Sequence, residues 1–382
     1  MTRTVLFCAT VDYHFKAFHL PYFKWFKEQG WTVHAAAKGS MKLPFADRQF
    51  DIGIERSPFR TGNLAAYREL SRIIDEHEYN IIHCHTPMGG VLARLAARKQ
   101  RKRGTAVMYT AHGFHFCQGA PLKNWLLYYP IEKGLSFLTD CLITINQEDY
   151  ELAKGLSSRM RTEKIHGIGV DTGRFHPVDE EEKRRLRAKY RLNEDDFVLI
   201  YPAELNMNKN QALLIETAAY LKERMPNVRF VFAGKGLMEA EYRRLAEQKG
   251  AADHVTFAGF QKDIHEWIKL ADVSVASSIR EGLGMNLLEG MAAGKPAVAT
   301  DNRGHREVIK DGANGFLISQ GDARTFSDRL FQLYHSPELR KRMGEEGRKT
   351  AAAYSQQRTV KEMADIYFSF MKNDAAERRL KG

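Results

Sequence analysis

The chain has 382 residues, 43% hydrophobic and 27% charged, a globular composition too long for one ordinary core and sufficient for two. No apolar run reaches the roughly 18 residues of a spanning helix, and the N-terminus turns polar too soon for a secretory leader. The net charge is +11, most of it in residues 1–178, with the densest basic run at Arg94, Arg98, Lys99, Arg101, Lys102 and Arg103.

In chain order, short apolar runs at 5–10, 31–37, 81–84, 106–111, 141–146 and 165–170 read as strands covered on both faces. The helical pattern over 17–29 places Phe18, Tyr22, Trp25 and Phe26 on one stripe, with Pro21 starting or kinking it. A polar stretch over 172–195 loses strand character. The rhythm then resumes, with strands at 197–201, 228–233, 255–258, 273–276, 297–300 and 315–318. Alternation of strand and helix twice over predicts an α/β protein of two doubly wound parallel-sheet domains, 1–175 and 176–354. A helix at about 355–371 opens a tail, 355–382, that packs back on the first domain. Ligands of such sheets bind beyond the carboxyl ends of the strands, so the cleft between the two domains is the expected site.

The absences narrow the chemistry. The first strand ends in VDYHF without G-x-G-x-x-G; Gly234-Lys235-Gly236 follows a strand but has no third glycine; there is no P-loop and no D-x-D cradle for a sugar-nucleotide metal. The four cysteines, Cys8, Cys84, Cys117 and Cys141, form no C-x-x-C pair and read as reduced thiols of a cytoplasmic protein. His83-x-His85 and His112-x-x-His115 bring imidazoles close together, yet no acidic or cysteine partner stands at ligand spacing, and no metal or other cofactor is expected.

Residues 277–296, SSIREGLGMNLLEGMAAGKP, follow the strand at 273–276. Gly282 and Gly284 permit a tight turn, and a helix from about 284 to 293 points its N-terminus at the strand ends, a placement that suits a diphosphate. Glu281 precedes that helix and Glu289 lies within it, roughly 12 Å apart at helical rise, the span of a folded sugar nucleotide.

This block strongly resembles the E-x7-E motif of the family-4 glycosyltransferases, retaining and metal-independent enzymes of the GT-B fold. Further matches are YTAHG (109–113), IGVDTGRFHP (168–177) and FAGKG (232–236); the resemblance covers essentially the whole chain. The segments FCATVDYHFKAFHLPYFKWF, YTAHGFHFC and SIREGLGMN resemble more narrowly the EpsD-type enzymes of bacterial exopolysaccharide (biofilm-matrix) clusters. The resemblance implies that Glu289 holds the donor ribose and Glu281 the sugar hydroxyls. It implies that the Gly284–Met285–Asn286 backbone faces the diphosphate, that His112 stands beside the reacting sugar, and that Lys209 neutralises the leaving group. Where the family usually has Gly-Arg this chain has Ala203-Glu204 in the donor-binding stretch, and glutamate cannot bind phosphate. Lys235, Arg280 or Arg303 is then the second cation, or backbone amides, Gly234 among them, carry more of the load.

On the acceptor side, Asp12 and His14 follow the first strand. The aromatic segment 15–26 with Lys16, Lys24 and Lys27, and the segment 114–130, are candidates for membrane or acceptor contact; a core-facing stripe is the alternative for the first. The expected activity is a hexosyl or N-acetylhexosaminyl transfer from a UDP-sugar to a lipid-diphosphate-linked saccharide at the inner membrane surface, without nucleic acid. The rivals are a sugar-nucleotide 2-epimerase and a non-enzymatic protein that binds anionic polymers.

Overall fold

In the computed structural model, which describes residues 3–380 and the side chains of 3–371, the chain forms two compact units, Met1–Ile168 with Gln357–Gly382, and Gly169–Gln356. They part a few residues before the expected boundary at 175. Gly167 and Gly169, at φ +71° and +83°, turn the chain where a strand over 165–170 was expected.

The first unit holds seven parallel strands: β1 (Thr4–Val11), β2 (Thr32–Lys38), β3 (Arg48–Asp51), β4 (Ile81–His85), β5 (Ala106–Ala111), β6 (Cys141–Thr144) and β7 (Arg161–Lys164). Their order is β3-β2-β1-β4-β5-β6-β7. The inner strands are buried along most of their length, as their continuous apolar runs require. The edge strands β3 (RQFD) and β7 (RTEK) are charged and carry no apolar run, so periodicity misses them. The second unit holds β8 (Phe197–Pro202), β9 (Val228–Ala233), β10 (Val255–Phe257), β11 (Val273–Ala276), β12 (Ala297–Thr300) and β13 (Gly315–Ile318). These are again parallel, in the order β10-β9-β8-β11-β12-β13. In each sheet the chain reverses its direction of winding beside the first strand, between β1 and β4 and between β8 and β11. Ligands of open sheets gather beyond the strand ends at such a reversal.

The aromatic segment near the N-terminus is core. It forms two helices, Asp12–Phe18 and Leu20–Glu28, which break at His19 with Pro21 in the first turn of the second. Phe15, Phe23 and Phe26 are fully buried around Phe7, with Phe7 and Phe23 centroids 4.6 Å apart. Trp25 stacks on Tyr367 of the last helix, Gln356–Leu380, at 5.6 Å. Phe15, Phe23 and Phe26 are therefore unavailable to lipid, whereas Phe18 is exposed. The tail expected to 382 reaches beyond the described residues.

The basic run also divides. Arg94 is 1% exposed, grips Glu132 with both guanidinium ends (2.8 and 3.0 Å) and lies 4.0 Å over the Tyr109 ring. It contributes nothing to a basic surface. Arg101 pairs with Asp140, whereas Arg98, Lys99, Lys102 and Arg103 are exposed. All four cysteines are free and buried, and among the described residues no helix is long and apolar enough to cross a membrane.

Candidate active site

In the second unit the strand ends beside the reversal bring Lys209 to Glu281. Lys209 lies in the loop after β8, anchored by its amide on Asn206 Oδ1 (2.9 Å) and by its carbonyl, which accepts from Ser277 Oγ (2.9 Å) and Tyr201 Oη (3.1 Å). Its ammonium pairs with the Glu281 carboxylate, both groups being partly buried. Arg303, mostly buried, donates Nε to the Glu281 carbonyl (3.1 Å). Asn302 caps the short helix Arg303–Arg306, accepting from the amides of Gly304 (3.0 Å) and His305 (3.1 Å) while its Nδ2 donates to the Ser278 carbonyl (2.9 Å). A Cβ on Gly304 would lie 2.7 Å from the Glu281 Cβ and 2.9 Å from its carbonyl carbon and oxygen. The backbone of 304 therefore presses directly on the glutamate, and only glycine lets it do so.

The helix after the turn is Met285–Ala292, with Gly284 at its N-cap. Met285 and Asn286 open it, and Asn286 Nδ2 is buried without a partner. Glu289 is partly buried inside it; burial pushes its carboxyl up to about 7, against a smaller downward pull from the Arg174 guanidinium. Of the cations weighed to replace the family arginine, Arg303 stands at Glu281, while Lys235 and Arg280 are exposed. Glu204 is exposed too, its carbonyl accepting from Gln211 Nε2 (3.0 Å). Gly234 is glycine for packing, since a Cβ there would sit 1.9 Å from the Ala203 carbonyl oxygen.

In the first unit, Asp12 accepts from the Met41 amide (2.7 Å) and thus ties β1 to the loop after β2. His112 follows β5 directly, its Nε2 buried and unpartnered. It joins His14, His19 and His85, one ring nitrogen of each lying within 4.8 Å of the others. Burial lowers all four from the ordinary histidine range, His14 to about 4, so the imidazoles are neutral. This is not the grouping that sequence spacing offered: His83 is bonded to Tyr367 Oη (2.6 Å) and Thr110 Oγ1 (2.8 Å), and His115 is exposed beside Tyr128. His19 was missed because it marks a helix break and fits no helical spacing. Beside the cluster, Thr86 holds φ +62°, a strained value for a β-branched residue, and bonds Thr10 through its hydroxyl (2.8 Å).

His14 also lines a cavity of about 980 Å³ within the first unit. Its walls are largely apolar, including Tyr67, Met88, Leu92 and Phe116, with Arg56, Arg60 and Arg98 among its lining residues. The helix Leu122–Ser136 carries Leu127 and Ile131 into that lining and leaves Leu122 and Leu126 more than two-thirds exposed. Phe114 and Phe116, read with that helix as one contact segment, are buried.

Residues 4–146 match the family described as Glycosyl transferase 4-like, and residues 182–350 the family described as Glycosyl transferases group 1. EpsD of Bacillus subtilis (strain 168), which bears a provisional glycosyltransferase name, is 66% identical over 379 residues, 99% of this chain and 100% of its own. An Escherichia coli enzyme named UDP-Gal:alpha-D-GlcNAc-diphosphoundecaprenol alpha-1,3-galactosyltransferase is 28% identical over 69% of this chain and 68% of its own. Among solved structures, Anabaena Alr3699/HepE in complex with UDP-glucose aligns with a TM-score of 0.79 at 18% identity, covering 96% of this chain and 99% of the other. Two parallel-sheet units of the GT-B type, matched along both halves, make this chain a member of the group 1 glycosyl transferases.

Proposed function

We propose that the chain transfers a hexose or N-acetylhexosamine from a UDP-sugar to a saccharide carried on a lipid diphosphate, with retention and without a metal at the diphosphate, in exopolysaccharide assembly. The second unit binds the donor and the first the acceptor, at the cytoplasmic membrane face.

The observation that carries the reading is the Lys209–Glu281 pair with Arg303 beside it, next to a helix that begins at Gly284 and carries Glu289. A departing diphosphate needs fixed positive charge that costs no reorganisation when the bond breaks. Lys209 supplies it from an anchored backbone, Arg303 takes the place of the family's arginine, and the amides of Gly284–Met285–Asn286 add the dipole end of the helix. Once the diphosphate takes Lys209, Glu281 is released to the sugar hydroxyls, and ionised Glu289 accepts from the ribose. Glu281 engaged with the sugar's hydroxyls is not placed to attack the anomeric carbon. The reading is therefore front-face substitution: the bond from the anomeric carbon to the diphosphate breaks, the acceptor oxygen bonds that carbon on the same face, and the leaving phosphate oxygen takes the acceptor proton. His112 orients the sugar.

The cavity of the first unit supports a lipid acceptor, because its apolar walls suit a hydrocarbon chain and its arginines a diphosphate. The names of the E. coli relative and the Anabaena structure are in keeping with a UDP carrier and a lipid diphosphate.

Two measurements test this. A matching UDP-sugar should raise the unfolding temperature by mass action, and labelled sugar should enter the organic phase with a lipid-linked acceptor and stay out of it in Lys209→Ala. No shift with any nucleotide sugar refutes donor binding, isomerised free donor without acceptor marks an epimerase, and a sugar covalently trapped on Glu281 refutes the front-face step.

A further inference from the structure

Four imidazoles from four separate positions converge in the first unit. His14 and His19 lie in the first of the N-terminal helices and at the break that follows it; His85 ends β4, and His112 follows β5. The only hydrogen bond among them joins Nε2 of His14 to Nε2 of His19 at 3.1 Å. His19 Nδ1, both nitrogens of His85 and Nε2 of His112 are buried with no partner. His85 is wholly inaccessible, and its ring stacks on His19 at 3.9 Å. Packing alone does not call for this arrangement: neighbouring His83 is equally buried and satisfies both nitrogens. A buried polar atom left without a partner is costly, and here four such atoms share one spot.

We propose that His14, His19, His85 and His112 bind one divalent ion of the Zn²⁺, Co²⁺ and Ni²⁺ class. Imidazole nitrogen suits these ions, and four nitrogens at about 2.0–2.1 Å close a tetrahedral shell with nitrogens roughly 3.4 Å apart. The His14–His19 pair already stands near that separation, and the widest separation in the cluster exceeds it by only about 1.4 Å, within reach of small ring rotations. The ion would fasten the helix break to two strand ends, a structural role. Coordination through Nε2 would also fix the proton of His112 on Nδ1, making that ring a hydrogen-bond donor. The site goes beyond the transferase reading and does not depend on it.

The test uses the full chain without a histidine tag, stripped with a chelator and titrated with Co²⁺. One equivalent should bind with the visible spectrum of a tetrahedral ion, Zn²⁺ should displace it, and Zn²⁺ should raise the unfolding temperature. His14→Ala, at a half-buried position, should weaken binding about tenfold or more, whereas His176→Ala, at an exposed histidine of the other unit, should leave it unchanged. Absence of saturable Co²⁺ binding by the native chain overturns the proposal, as does a folded His14→Ala that binds like wild type. If that variant fails to fold, the native stoichiometry and spectrum decide.

Discussion

The two units share a topology and differ in how they build a site. In the second unit the candidate donor residues come mostly from one stretch, the β11 end and the helix after it, joined by Lys209 and Arg303 from adjacent strand ends. In the first, His14, His19, His85 and His112 and the apolar cavity draw on elements spread over more than a hundred residues. The charged groups differ in the same sense. Lys209 and Glu281 stay partly open, which leaves them free to exchange partners with a ligand; Arg94 and Glu132 are closed into the interior, where neither can exchange. A pair open to a ligand and a closed structural one are thus told apart by burial, and substitution should separate them sharply.

The largest effect is expected at the closed pair. Arg94→Ala leaves Glu132 an uncompensated, nearly buried charge, and urea unfolding should show a loss of about 3–5 kcal/mol. Arg94→Met with Glu132→Leu should restore most of that stability, because an apolar pair of similar volume avoids the desolvation cost. If the single substitution is nearly neutral, the two units do not differ in the way described.

At the open pair, stability and activity should part. Lys209→Ala should lower kcat by about 10²–10³-fold, the usual loss when one fixed electrostatic group is removed from a developing charge. Its stability should change by less than about 1 kcal/mol, since partly exposed pairs contribute little. Steady-state kinetics with labelled donor, beside a melting curve, reads both quantities.

This contrast also explains what could be read in the sequence. Continuous apolar runs revealed all the inner strands, and the turn and helix after β11 were recognisable because glycines, helix start and both glutamates are contiguous. The pairing of Lys209 with Glu281 joins residues in loops after different strands, so no spacing announces it. Arg94 looked like one charge in a basic run because its partner Glu132 lies on another helix and only the fold brings them together. The histidine cluster was hidden for the same reason. His14 lies inside the first helix and His19 at the break that ends it, a spacing that fits no helical period.

A smaller, pH-dependent effect sharpens the reading of Glu289. Burial raises its carboxyl to about 7 in the free protein, so it is mostly protonated at pH 6 and mostly ionised at pH 8. Ribose hydroxyls donate to the ionised form, and donor binding should therefore weaken as pH falls through 7. The donor Kd should rise about tenfold from pH 8 to pH 6, and Glu289→Gln should bind weakly at both with the dependence flattened. An unchanged slope in that variant would move the titrating group elsewhere.

The smallest stability effect belongs to the apolar face of the first unit. Leu122 and Leu126 stand on the solvent side of the helix that sends Leu127 and Ile131 into the cavity. Leu122→Glu with Leu126→Glu should change folding stability by less than about 0.5 kcal/mol per site, since these side chains bury little. Kinetics should respond only on the acceptor side: the KM for a lipid-linked saccharide should rise, while that for the donor, and for a water-soluble acceptor lacking the lipid, should stay at the wild-type value. Equal losses with both acceptors would mean that this face serves the chain's own packing, and the cavity behind it would lose its claim to the lipid.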